Sequence, residues 1–183
     1  MTPHGTGRGT MNGMLRYFIA IEPPADQRAR LADVMRALGD PWPVPHVTLK
    51  SPHGLTPDLV WLAAARDVAA RTRRPTLRLG PPGTFDDRVL YLSVEGDELA
   101  SLHDALVAAV RASHAGGDDA PERPFVAHLT LTVARSDEPL VAYDTLSAAL
   151  SGFEAFEATV LTVFERDEPH THYRAWAELP LLG

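Results

Sequence analysis

The sequence contains no cysteine and only one lysine among its 17 basic residues. Without cysteine, neither a disulfide framework nor thiolate chemistry is available, which fits a reducing compartment, and we expect a cytoplasmic protein. No apolar run approaches the roughly 18 residues that a membrane span requires, so no membrane association is expected. Residues 1–13 lack the apolar stretch of a signal peptide and are predicted to form a flexible tail.

Positive charge is also scarce, since the formal net charge is −7. This balance argues against a protein that coats long nucleic acids, where many phosphates must be neutralised. A small phosphate-binding cleft remains compatible with it, because the local field matters more there than the net charge. The length of 183 residues, 45% of them apolar, suits a single domain over residues 14–183, which we expect to be monomeric.

Strands and helices alternate in an order that occurs twice. The first set comprises a strand (14–22), a helix (23–39), a histidine-containing strand (46–50), a helix (56–72) and a strand (76–80). The second set comprises the corresponding segments 88–95, 97–113, 125–134, 139–150 and 153–166, followed by a closing strand in "YRAWAELPL". The repetition predicts a bilobal α+β fold with a pseudo-twofold axis. Two mainly antiparallel sheets would flank a central cleft, with the helices on the outside.

Two short stretches, "VPHVTL" at 44–49 and "VAHLTL" at 126–131, carry the same motif in equivalent segments. Because side chains alternate along a strand, His46, Thr48 and Lys50 are predicted to share one face. His128 and Thr130 are predicted to share a face in the same way, together with the next threonine, Thr132. A single histidine of this kind is compatible with an ordinary half-exposed strand, whereas the duplicated pair favours a functional site.

Two imidazoles and two hydroxyls around one cavity suit the cleavage of a phosphodiester. Histidine titrates near pH ~6.5, so one imidazole can accept a proton while the other donates one. Threonine hydroxyls can donate to the non-bridging phosphate oxygens. This chemistry needs no metal, and no carboxylate-rich set stands out as a magnesium site. We therefore expect neither a metal ion nor a cofactor.

The paired "HVTL" and "HLTL", together with "LRYFIAIEPP", "RPFVAHLTL" and "YRAWAELPL", resemble the two-histidine (2H) phosphoesterase superfamily. The resemblance is to its bacterial 2′-5′ RNA ligase / RNA 2′,3′-cyclic phosphodiesterase branch. It implies that His46 and His128 form the acid–base pair, and that Thr48 and Thr130 bind the phosphate. Many relatives carry an arginine where this chain has Val133. Arg135 is either a substitute phosphate ligand or a solvated surface charge, and Lys50 is a further candidate.

The resemblance also implies the reaction and the partner. We expect a metal-independent enzyme that opens 2′,3′-cyclic phosphates, on RNA ends or on small nucleotides, to 2′-phosphates. Reverse 2′-5′ ligation would be a further activity of such an enzyme. The alternatives are a phosphoesterase for another small cyclic nucleotide, and a binding module for nucleotides or RNA ends without turnover. Trp42, Phe85 and Phe125 are each candidates either for stacking on a base or for core packing.

Overall fold

A computed structural model describes residues 15–114, 124–133, 149–166 and 172–183, and these contain eight strands and three helices. The strands are β1 (Arg16–Ile21), β2 (Val47–Lys50), β3 (Thr76–Phe85), β4 (Val89–Glu95), β5 (His128–Val133), β6 (Phe156–Glu157), β7 (Val160–Arg166) and β8 (Arg174–Pro180). The helices are α1 (Ala25–Ala37), α2 (Leu62–Arg71) and α3 (Leu99–Ala112). The expected tail (1–13), most of the expected fourth helix (139–150) and Arg135 lie outside the described residues.

The strands follow one another in the sheet order β6-β3-β4-β5-β2-β1-β7-β8, and all pairings between these strands are antiparallel. The α+β class with antiparallel strands is therefore confirmed. The expected division into two sheets is not confirmed, because β2 and β5 pair at Val47 and Leu129 and join the two parts of the sheet. Moreover, β3 pairs with β4, and β7 pairs with β1. Each sequence half therefore places its third strand beside the strands of the other half.

One face of the sheet packs against the helices and forms the main core. Ile19 and Ile21 of β1, Val47 of β2 and Leu129 of β5 are fully buried in it. The three helices contribute further apolar side chains to this same cluster, including Leu31, Trp61 and Leu106. The opposite face carries a separate small cluster of Phe18, Ala20 and Phe164. Alternation along β1 thus separates a helix-covered face from a face that is available for a site.

The second helix begins later than the sequence predicts. Thr56 was expected as its N-cap, but α2 starts at Leu62. Leu59 adopts a positive φ of 60°, which an α-helix cannot contain. The indole N–H of Trp61 donates to the Thr56 carbonyl at 2.9 Å, and this ring is fully buried. Burial of Trp61 therefore accompanies a compact turn in place of the first helical turns.

Strand β3 is longer than predicted, because "PPGTF" is part of the strand and not of a turn. The pairing with β4 shifts between Leu79 and Pro82, so Pro81 falls at an irregularity where its missing N–H costs no ladder hydrogen bond. The turn itself is confined to Asp86 and Asp87, both with positive φ. Such a type I′ turn matches the twist of a hairpin, and aspartate tolerates it better than most residues.

Candidate active site

The register between β2 and β5 brings the two histidine motifs side by side. Val47 lies directly opposite Leu129 in an antiparallel pair. Continuing this register by one residue on either side places His46 across from Thr130, and Thr48 across from His128. Directly opposed residues have Cβ atoms about 4.5–5.5 Å apart, and diagonal neighbours about 7–8 Å apart. The two imidazoles and two hydroxyls therefore form a compact quartet on the face opposite the helix-covered core.

The first motif contains an irregularity that alternation along a strand does not reveal. Ala20 lies opposite Thr48, whereas the preceding Ile19 lies opposite Lys50, so Leu49 is passed over in the pairing. Opposed residues share a face, and Ile19 belongs to the main core. Lys50 is accordingly directed to the helix-covered side and is only 1% exposed. The structure thus does not bring Lys50 to the threonine face that strict alternation predicted.

Side chains of the loop and of α3 complete this bulge. The ammonium Nζ of Lys50 donates to the His53 carbonyl at 2.6 Å. The carbonyl of Leu49 accepts a hydrogen bond from His103 Nδ1 at 2.7 Å. His103 is buried and stacks on Phe125, with 4.4 Å between the ring centroids. Phe125 is therefore committed to packing and not presented to a base.

The second motif has the same irregularity at the equivalent position. Tyr91 lies opposite Thr130, but Leu90 lies opposite Thr132, so Leu131 is passed over. Leu90 belongs to the main core, which places Thr132 on the helix-covered side. The expected common face of His128, Thr130 and Thr132 therefore ends at Thr130, because the bulge reverses the alternation after it.

Both histidine rings are oriented by the backbone in the same manner. His46 Nδ1 lies 2.5 Å from the Val44 carbonyl, and His128 Nδ1 lies 2.7 Å from the Val126 carbonyl. A carbonyl can only accept, so Nδ1 carries the proton in each ring. The Nε2 atoms are consequently the positions at which protons can be exchanged with a substrate.

Aromatic side chains support each imidazole. Phe18 and Phe164 lie against His46, with centroid distances of 4.7 and 5.6 Å. Phe85 and Tyr91 approach His128 edge-on at 5.0 and 5.6 Å and stack on each other. Phe85, a sequence candidate for base stacking, thus lies within the site but is already stacked. Trp42, the third candidate, is 61% exposed and stacks on His172 at 4.8 Å.

Glu22 is a site residue that the sequence interpretation did not single out. It follows Ile21, which pairs with Val47, so it is positioned across from His46. Its carboxylate accepts from Arg28 Nη1 at 2.8 Å and from Thr162 Oγ1 at 3.0 Å. Its sequence signal is a carboxylate that interrupts an apolar strand at its end. At the corresponding place beside His128 stands Ser93, which pairs with it directly.

The electrostatic environment of His46 follows from these neighbours. Burial lowers the pKa of His46 below the ordinary histidine value. The Val44 carbonyl and the Glu22 carboxylate oppose this change, whereas a positive charge on His128 adds to the lowering of the pKa. The two histidines are therefore close enough to influence each other's protonation.

A groove of about 430 Å³ opens beside His46. Its lining includes Val44 and Pro45, which immediately precede His46, and Phe164, which contacts the ring. Among the residues that the structure describes, no group of three or more histidine, aspartate or glutamate side chains is arranged to hold a metal ion. None of the described helices is long and apolar enough to span a membrane.

Comparison with known proteins places this geometry in a family. The model of the 2′-5′ RNA ligase superfamily matches residues 22–173. TT0787 of Thermus thermophilus has a similar structure, with a TM-score of 0.67, 22% sequence identity, and coverage of 92% of this chain and 98% of that one. E. coli LigT in complex with 3′-AMP gives a TM-score of 0.59 at 20% identity, covering 92% of this chain and 99% of LigT. No curated protein matches the sequence.

Proposed function

Because the chain belongs to the 2′-5′ RNA ligase superfamily of 2H phosphoesterases, we propose that it opens 2′,3′-cyclic phosphates to 2′-phosphates without a metal ion. The observation that carries the proposal is the pairing of Val47 with Leu129, which sets His46, Thr48, His128 and Thr130 around one small space. The matched bulges and matched Nδ1–carbonyl contacts of the two motifs support an interpretation as two equivalent half-sites.

In the proposed reaction, one Nε2 takes a proton from water while the oxygen of that water attacks phosphorus. The bond between phosphorus and the ribose O3′ breaks, and the other histidine gives a proton to O3′. Thr48 and Thr130 donate to the non-bridging oxygens, where negative charge is held during the transfer. The phosphate remains on O2′, and in the reverse direction an RNA hydroxyl in place of water gives a 2′-5′ linkage.

The surroundings of the two rings favour His128 as the base and His46 as the acid. The Nδ1 contact of His128 is exposed to solvent, whereas that of His46 is partly buried, so attacking water reaches His128 more readily. The lowered pKa of His46 makes its protonated form a stronger proton donor to the departing oxygen. Arg135 lies outside the described residues, and Val133 is 59% exposed.

The substrate class rests on the size and chemistry of the site. LigT of E. coli has been solved with 3′-AMP and with NADP⁺, which supports a nucleotide-sized ligand for this chain also. The net charge of −7 favours small nucleotides or RNA ends over long RNA. A phosphoesterase acting on another small cyclic nucleotide would use the same four residues.

The test is incubation with nucleoside 2′,3′-cyclic phosphates and with short RNA that ends in a cyclic phosphate, all in EDTA. We expect turnover to a 2′-phosphate product, identified by ³¹P NMR. His46→Ala and His128→Ala should each reduce kcat by about 10²–10⁴-fold. His114→Ala is the matched control, because this histidine bonds to Val110 and Thr56 at the end of α3, away from the quartet.

Three results would contradict the proposal. One is inactivity of the wild-type protein toward both substrate types, and a second is loss of activity in EDTA. The third is near-full activity in either histidine variant. Affinity for nucleotides without turnover would identify a binding module instead.

A further inference from the structure

The groove beside His46 has the dimensions and the position of a substrate subsite. Its volume of about 430 Å³ falls within the range of about 300–1,000 Å³ that small-ligand sites occupy. It is continuous with the quartet, because Val44, whose carbonyl orients His46, forms part of its wall. A ligand whose phosphate sits between the histidines therefore has space for its remaining atoms on this side.

Aromatic and small side chains make the walls of the groove mostly apolar. Phe164 and Tyr173 both line it, and both contact Phe18, with centroid distances of 4.7 Å in each case. Ala25 and Ala29, one helical turn apart on α1, form the opposite wall, and both are exposed. A flat ring can therefore lie between the helix and the aromatic cluster.

The charges in the groove are nearly balanced, which favours a neutral occupant over a second phosphate. Arg28 is paired with Glu22 at 2.8 Å, and Arg174 is paired with Glu165 at 2.7 Å. Glu22 itself lines the groove, so an additional phosphate there would face a carboxylate. A carboxylate has about four acceptor positions, and Arg28 and Thr162 use two of those on Glu22. The remaining positions can accept from a hydroxyl or an amino group.

We propose that this groove binds the nucleoside part of the substrate, with the base between α1 and the rings of Phe164 and Tyr173. Glu22 accepts a hydrogen bond from a ribose hydroxyl or an exocyclic amine. The inference rests on the proposed function for the identity of the phosphate, but not for the existence of the subsite. It places the sugar on the side of His46, the histidine that gives its proton to the ribose oxygen.

Ala29→Leu tests the subsite, because a leucine on this exposed wall fills the groove without touching the quartet. Ala63→Leu is the matched control, since Ala63 is an exposed alanine on α2. The first measurement is the Kd of adenosine 2′-monophosphate by calorimetry, with inorganic phosphate as a second ligand. We expect Ala29→Leu to weaken binding of the nucleotide by about tenfold or more, the scale of one lost stacking contact. Binding of inorganic phosphate should be unchanged, and Ala63→Leu should resemble wild type for both ligands.

A second variant and a second substrate pair make the test independent of this one substitution. Tyr173→Leu keeps an apolar side chain but removes the ring, and it should weaken nucleotide binding in the same selective way. In kinetics, wild type should show a lower KM for a nucleoside 2′,3′-cyclic phosphate than for methyl riboside 2′,3′-cyclic phosphate, which has no base. Ala29→Leu should bring the two KM values together.

The inference is overturned if Ala29→Leu and Ala63→Leu bind adenosine 2′-monophosphate equally well. It is also overturned if Ala29→Leu weakens only a dinucleotide with a cyclic end, because the groove would then hold the neighbouring nucleotide. A parallel loss of inorganic phosphate binding would show a general disturbance of the quartet. Absence of turnover in wild type would sink the proposed reaction, yet the calorimetric comparison would still decide the subsite.

Discussion

His46 and His128 each donate Nδ1–H to the carbonyl of the residue two positions earlier in their own strand. The local backbone alone therefore sets the tautomer of both rings. Neither ring depends on a carboxylate to hold its orientation, unlike a histidine in a catalytic triad. The equivalence ends at the next neighbours, because Glu22 stands across from His46 and Ser93 stands across from His128.

The threonines of the quartet can be tested by removing only a hydroxyl. Thr48→Val and Thr130→Val keep the shape of the side chain and the β propensity, but they remove a donor to the phosphate. We expect each to lower kcat/KM for a cyclic nucleotide by about 10²-fold, the usual cost of one lost donor to a developing charge. Thr→Ser at the same position should restore most of the activity.

Thr132→Val is the matched control for these variants. Thr132 follows Thr130 by two residues, but the bulge at Leu131 places it opposite Leu90 on the helix-covered side. Its substitution should leave kcat/KM within about twofold of wild type. A loss equal to that of Thr130→Val would show that the strand alternates regularly and that the bulge is wrongly placed.

The buried environment of His46 predicts a pH dependence of stability. Its pKa is lower in the folded protein than the ordinary value of about 6.5, so the unfolded chain binds a proton more readily. The stabilising contribution is therefore complete above about pH 6.5 and is lost as the pH falls through the folded pKa. Urea unfolding at pH 7.5 and 5.5 should show a smaller decrease for His46→Gln than for wild type.

Glu22→Gln should change this dependence in the opposite direction. The Glu22 carboxylate opposes the lowering of the His46 pKa, so its removal should lower that pKa further and enlarge the decrease in stability. Identical pH dependences for wild type, His46→Gln and Glu22→Gln would contradict the assigned environment of His46.

Lys50 should act on stability and not on substrate affinity. Its side chain is 1% exposed, and its ammonium donates to the His53 carbonyl at 2.6 Å. Lys50→Met keeps the apolar stem and leaves buried acceptors without this donor, which costs about 1–3 kcal/mol. We expect a lower Tm and a lower free energy of unfolding, with KM for a cyclic nucleotide unchanged. A raised KM at unchanged stability would return Lys50 to the phosphate site.

Sequence reasoning located the two histidine strands and the helices at 25–37 and 99–112 because hydrophobic periodicity is a local property. It placed Lys50 and Thr132 on the wrong side of the bulges, since a bulge is defined by the partner strand and leaves no local signal. Glu22 escaped notice for a related reason: its relation to His46 exists only once β1 and β2 are paired. The early helix start at Thr56 failed because tertiary burial of Trp61 outweighed a good capping sequence.

The pairing of β3 with β4 and of β7 with β1 also has a consequence for folding. Neither half of the chain is a self-sufficient folding unit, because each one lacks the outer neighbour of its own central strands. Two fragments divided at the Asp86–Asp87 turn should thus be unstable separately and should regain structure only when mixed. Reassembly of such a split protein would restore both histidines at once, so enzymatic activity would report directly on the association of the fragments.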